Sequence, residues 1–164
     1  MCDSDIILLV EDDPDDVFLM KRALKAAGIS DPLHVVEHGQ AALDYLAGTG
    51  GYADRTRHPF PSLVFLDLKL PYKSGFEVLS WFREQPSFEL AAVVVLTSSG
   101  LERDMHQAYK LGARSYLVKP PTREMLLELM GSLNSFRGKK STALESTITN
   151  LSLSAGREAP HSQN

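Results

Sequence analysis

A chain of 164 residues, 43% hydrophobic and 23% charged, has the make-up of one globular domain with a full core and is too short for two ordinary ones. Its 17 basic and 21 acidic residues leave a net charge of −4, which gives no electrostatic reason to expect a nucleic acid or a membrane surface as partner. The single cysteine, Cys2, rules out an internal disulfide. It fits a reducing compartment, and with no apolar run near the ~20 residues of a membrane span and an acidic rather than basic start, a cytoplasmic location is expected.

Ile6 to Val10 is an uninterrupted apolar run that ends in Glu11-Asp12-Asp13-Pro14-Asp15-Asp16. Proline suits the first helical position, Asp13 the N-cap before it, and further acids favour a helix amino end. A helix to about Ala27 comes next, with Val17, Met20, Leu24 and Ala27 on one face and Gly28 as its stop. Leu33 to Glu37 is a weaker strand, interrupted by His34 and Glu37. A short helix then carries Ala42, Leu43 and Leu46 and ends at Gly48. From Thr49 to Pro61 nothing is periodic, so the segment reads as a loop longer than the usual ~2–6 residues and as a candidate contact surface.

In Ser62 to Pro71, four apolar residues run into Asp67 and Pro71 forbids the strand to continue. The expected element is a strand buried on both faces that delivers Asp67, presented rather than buried, at its carboxyl end. Ser74-Gly75-Phe76-Glu77 has capping-box spacing and opens a helix with Phe76, Leu79 and Phe82 on one face, closed by Pro86. Ala91 to Leu96 is the most apolar strand and runs into Thr97-Ser98-Ser99. A second capping box, Ser99 to Glu102, predicts a helix to about Leu111 with Gly112 as its stop. Arg114 to Val118 is the last strand, and after it stand Lys119-Pro120-Pro121. Thr122 then caps a helix carrying Leu126, Leu129, Met130 and Leu133. Strand and helix alternate five times, which predicts an α/β fold: a doubly wound, five-stranded parallel sheet with helices on both faces. The domain is expected to span residues 1–136, and the Ser-, Thr- and Lys-rich stretch 137–164 reads as a flexible polar tail.

In open parallel sheets ligands gather at the carboxyl ends of the strands. The strands deliver Glu11 and Asp12, Asp67, Thr97 and Lys119 to that edge. Carboxylates a few Å apart repel by several kcal/mol per pair, so this cluster demands a cation, and oxygen-only donors select a hard one such as Mg²⁺. A carboxylate nucleophile, a divalent cation, an ammonium and a hydroxyl together suit a phosphoryl group travelling to Asp67. His34, His38, His58, His106 and His161 show no ligand spacing and read as surface or boundary residues.

With these motifs in this order, the chain from about Ile6 to Phe136 resembles the receiver domains of two-component response regulators, which have a flavodoxin-like fold. The resemblance implies that Asp67 accepts a phosphoryl group from a sensor histidine kinase or a histidine phosphotransfer protein. It implies Asp12 as a direct Mg²⁺ ligand, Glu11 as its partner, and the Lys69 backbone carbonyl and Asp67 completing the set. Thr97 would close on the phosphoryl oxygens, Lys119 would bind them, Tyr116 would swing inward as Thr97 moves, and Lys119-Pro120 would be a cis peptide. Pro121 departs from the bulky apolar residue more usual in the family, while Lys69 and Ser99 stand at variable positions that affect phosphoryl lifetime.

The loop before Ser62, the phrase Leu66 to Pro71 and the lack of an output domain resemble the single-domain regulators associated with bacterial phytochromes. The same resemblance implies self-catalysed phosphotransfer and autodephosphorylation, and a readout through the face of the fourth helix, fifth strand and fifth helix, as a homodimer or with a partner. The alternative function is a degenerate receiver that binds partners without phosphorylation. Its usual mark, loss of an acid or of the lysine, is absent here.

Overall fold

The computed structural model describes residues 5–98 and 100–134. In chain order these form β1 (Ile7–Val10), α1 (Pro14–Ala26), β2 (Leu33–Val36), α2 (Gly39–Ala47), β3 (Leu63–Asp67), α3 (Gly75–Arg83), β4 (Ala92–Thr97), α4 (Glu102–Lys110) and β5 (Ser115–Val118). Short 3-10 turns fall at Gly50–Tyr52 and Pro86–Leu90. The chain divides into two compact units, Met1–Leu127 and Glu128–Asn164, and β1 to β5 lie in the first. Residues 123–127 are helical at the end of the first unit, and residues 128–134, the described part of the second, are helical as well. The tail expected over 137–164 lies outside the described residues.

All four strand pairings are parallel and the sheet order is β2-β1-β3-β4-β5, the doubly wound arrangement that the alternation of elements predicts. The three central strands are buried along their whole length, which is why they read as continuous rather than alternating apolar runs. Leu8, Val10, Val64, Leu66, Val93 and Val95 share a core with Ala42, Tyr45 and Leu46 of α2 and Val78, Leu79 and Phe82 of α3. Their strand neighbours Ile7, Leu9, Leu63, Phe65 and Val94 are equally buried and point to the opposite face. Each large side chain among them stabilises the fold by roughly 1.5–3 kcal/mol through burial alone.

Helix ends obey local chemistry. The Asp13 side chain accepts from the Asp15 N–H at 2.9 Å, and Pro14 opens α1. Ser74 and Glu77 form both bonds of the capping box at α3. Gly48 ends α2 in the left-handed region at φ 69°, where a side chain would be strained and would also meet the Arg55 guanidinium.

One local expectation changes. The N-cap of α4 is Leu101, with no side-chain cap bond, so the helix does not begin from a Ser99 to Glu102 capping box. Ser99 itself lies outside the described residues. His38 is half-buried, as a boundary residue would be, and it is also the N-cap of α2: its Nδ1 accepts the Ala41 N–H at 3.0 Å, in the place of the usual hydroxyl or carboxylate.

The loop after α2 is pinned by one residue. Arg55 donates to the carbonyls of Tyr45 at 2.7 Å and Leu46 at 3.0 Å in the last turn of α2, the first of which also accepts the Gly48 N–H at 3.2 Å, and to His58 O at 3.2 Å. Its guanidinium also lies 5.6 Å from the Phe60 ring centre, and the Tyr45 hydroxyl donates to Pro59 O at 2.9 Å.

Candidate functional site

The strand register assembles the site. Val10 is level with Leu66, so Glu11 and Asp67 leave adjacent strands at the same height. Asp67 is level with Leu96, and Thr97 with Val118, so Thr97 and then Lys119 come one step further along β4 and β5. Residues distant in sequence reach one sheet edge because parallel strands end together.

Glu11, Asp12 and Asp67 each place a carboxylate oxygen within 4.8 Å of the others, and this is the one such acidic or ligating group among the described residues. At that spacing, with an effective dielectric near 20, two ionised carboxylates repel by roughly 3–4 kcal/mol. Lys119 opposes this repulsion: its ammonium lies 2.5 Å from Glu11 Oε2, 2.9 Å from Asp67 Oδ2 and 3.0 Å from Asp16 Oδ2. The other Asp67 oxygen, Oδ1, accepts the Lys69 N–H at 3.1 Å, which turns the chain back beneath the carboxylate. Glu11 Oε1 accepts from the Asp13 N–H at 3.2 Å.

Burial shapes the titration of this group. Desolvation, with repulsion from Asp67, pushes the Glu11 carboxyl up to about 7 against the pull of Lys119. For Lys119, burial acts to lower the value, but hydrogen bonds to Glu11, Asp67 and Asp16 outweigh it and hold the ammonium above the ordinary lysine range. At neutral pH the ammonium is fully charged.

Asp67 departs from expectation in one respect. It stands at the carboxyl end of β3 as predicted, but it is only 4% exposed. The physical reason is close packing behind and above it. Lys119 caps the carboxylate, and the amino end of α3 approaches so tightly that a Cβ on Gly75 would lie 2.7 Å from Leu68 Cα and inside contact distance of the Asp67 carbonyl oxygen. The Gly75 N–H donates to Leu68 O at 2.9 Å, fixing this approach.

Thr97 is buried at the end of β4, and its carbonyl accepts the Lys119 N–H at 2.7 Å. Tyr116 is also buried and its hydroxyl is hydrogen-bonded to Thr97; burial raises the phenol, the Thr97 bond opposes this, and nearby Asp104 adds to it. The Lys119-Pro120 peptide is cis. The side chain of Lys69 is exposed while its backbone lines the turn after Asp67.

Sequence reasoning missed two residues. Asp16 was legible only as a helix-start acid, although a helix opening at Pro14 places it in the first turn above the end of β1. Gly75 was legible only as a spacer within the capping box. The donor set fits a hard divalent cation: three carboxylates, with oxygen donors alone, sharing one small volume beside an open turn.

A parallel sheet in this order, with an acidic cluster and a lysine converging at its carboxyl edge, defines a doubly wound domain with a candidate divalent-cation site at the strand ends. The chain belongs to a known family of such domains: residues 7–130 match the model of the response regulator receiver domain. It is 37% identical over 131 residues to Response regulator Rcp1 of Synechocystis sp., an alignment that covers 80% of this chain and 87% of that protein. Among solved structures it is similar to the bacteriophytochrome response regulator AtBRR, with 38% identity, a TM-score of 0.71 and coverage of 79% of this chain and 92% of that one. The Mn²⁺-bound form of response regulator Rcp1 matches with 36% identity and a TM-score of 0.65, over 80% of this chain and 93% of that one. The phosphorylated cyanobacterial phytochrome response regulator RcpA matches with 32% identity and a TM-score of 0.66, over 80% and 92%. Among the described residues no helix is long and apolar enough to cross a membrane.

Proposed function

We propose that this protein is a phosphorylated signalling receiver, with Asp67 as the phosphoryl acceptor. The observation that carries the reading is the pairing of Asp67 Oδ2 with the Lys119 ammonium at 2.9 Å, inside the acidic cluster at the sheet edge. An Asp67 carboxylate oxygen attacks phosphorus, the phosphorus–nitrogen bond to the donor histidine breaks, and the imidazole leaves with the electron pair and takes a proton. Lys119 neutralises the phosphoryl oxygens, and the Thr97 hydroxyl donates to one of them. Asp12, Glu11, Asp67 and the Lys69 carbonyl would hold Mg²⁺, which supplies further neutralisation of charge on the transferring group.

The donor is a sensor histidine kinase of the phytochrome type or a histidine phosphotransfer protein, a reading supported by the phytochrome response regulators that this chain resembles. Water attack on the acyl phosphate then returns Asp67 to its free form, so the protein catalyses its own resetting. Phosphorylation adds about 1.5–2 negative charges, enough to recruit Thr97 and Lys119 and shift a two-state balance of a few kcal/mol. The readout is the face of α4, β5 and the helical residues 123–127, as a homodimer or with a partner; Leu101, Tyr109 and Val118 are exposed there. The setting is cytoplasmic.

The test is incubation of the full chain with acetyl phosphate and Mg²⁺, read by intact mass. One phosphoryl group gained by wild type, none by Asp67→Asn and none in EDTA is the expected result. No gain by wild type under any condition would overturn the reading in favour of a phosphorylation-independent binding module.

A further inference from the structure

Lys119 has three carboxylate partners, and they are not equivalent. Glu11 and Asp67 both belong to the acidic cluster suited to a divalent cation, whereas Asp16 does not. Asp67 also loses its free carboxylate on becoming an acyl phosphate. Of the three, only Asp16 keeps its full charge and an undivided bond to Lys119 when the other two are in use. Its place suits this role. It sits in the first turn of α1, whose rigid backbone is fixed by the Asp13 cap and Pro14, and it reaches Lys119 across 103 residues of sequence at 3.0 Å. Its side chain is 30% exposed, against 2% for Glu11, so it approaches Lys119 from the solvent side of the cluster.

We propose that Asp16 is a positioning residue: it retains the Lys119 ammonium at the sheet edge when Glu11 and Asp67 are engaged, and so sets where that ammonium stands during phosphoryl transfer. Without Asp16 the ammonium has only the two shared carboxylates to bind and competes for them. Phosphoryl uptake then slows, because Lys119 spends less time free to meet the phosphoryl oxygens. Cation binding weakens as well, because Lys119 holds the ligands more tightly.

This inference rests on the phosphoryl-acceptor reading, and its test separates the two. Uptake from acetyl phosphate is monitored by intact mass on the full chain as wild type, Asp16→Asn and Asp16→Glu. Mn²⁺ affinity is measured by titration on wild type, Asp16→Asn, Lys119→Met and the double variant. The expected results are uptake about threefold to tenfold slower in Asp16→Asn, with part of the rate restored in Asp16→Glu, as the loss of one charge-assisted bond in a half-exposed setting implies. Mn²⁺ dissociation constants should rise by a similar factor on Asp16→Asn in the wild-type background and stay level in the Lys119→Met background. Unchanged or faster uptake in Asp16→Asn, or an equal Mn²⁺ shift in both backgrounds, would overturn the inference, the latter by making Asp16 a direct contributor to the cation site. If wild type takes up no phosphoryl group, it is the acceptor reading that fails, while the Mn²⁺ cycle still decides whether Asp16 acts through Lys119.

Discussion

Replacing Lys119 with methionine keeps the length and apolar stem of the side chain and removes only the charge. The ammonium lies 2.9 Å from Asp67 and 2.5 Å from Glu11, contacts that at an effective dielectric near 20 are each worth roughly 5–7 kcal/mol of attraction. Their loss leaves carboxylates within 4.8 Å of one another with no counter-charge. The full amount is not expressed, because Glu11, already raised to about 7, takes up a proton and relieves the repulsion. The expected net loss is about 3 kcal/mol, the lower end for breaking a buried ion pair, which is a fall in Tm of roughly 10 °C for a domain of this size.

The same carboxyl sets the sign of the pH dependence. Its folded value of about 7 lies above its ordinary 4.5, so the stability it contributes is present below 4.5 and is lost as pH rises through about 7. Without Lys119 that loss shifts to higher pH. A divalent cation replaces the missing charge, and at about a hundred times its dissociation constant it returns about 2.7 kcal/mol. Thermal unfolding of wild type and Lys119→Met in EDTA and in Mg²⁺ is the assay. A variant that melts within about 2 °C of wild type in EDTA, or whose gain from Mg²⁺ is no larger than that of wild type, would refute the account of Lys119 as the internal counter-ion.

Two further substitutions probe the scaffold around the site. Gly75→Ala forces a methyl against the backbone of Asp67 and Leu68, where the new Cβ would lie 2.7 Å from Leu68 Cα. Denaturant unfolding should show a loss of about 3 kcal/mol, and phosphoryl uptake should fall because the acceptor turn is displaced; stability equal to wild type would show that α3 can retreat freely. Arg55→Met removes the guanidinium bonds to the carbonyls of Tyr45, Leu46 and His58 and should cost about 2 kcal/mol while sparing phosphoryl uptake. Faster proteolytic cleavage between Thr49 and Pro61 is the accompanying sign, and a loop as resistant as in wild type would refute the pinning role of Arg55.

Much of this protein was determined by short-range sequence pattern. Continuous apolar runs fixed β1, β3 and β4, because strands buried on both faces admit no polar alternation. Cap chemistry at Asp13, Ser74 and Thr122 fixed helix starts, since those side chains satisfy donors only a few residues away. Glu11, Asp12, Asp67, Thr97 and Lys119 were legible because each lies at or just beyond the end of a strand, and parallel strands bring such residues to one edge.

What the tertiary structure alone decided are matters of distance between elements remote in sequence. The burial of Asp67 depends on how closely α3 returns to the end of β3 and on Lys119 arriving from β5. The involvement of Asp16 depends on which turn of α1 overlies that lysine, and a run of five acids in six positions does not say which of them will reach it. Arg55 could not be assigned as the pin of its loop until the carboxyl end of α2 was in place to offer its carbonyls. Local rules depend on neighbours a few bonds away, whereas packing and charge pairing depend on positions that only the folded chain defines.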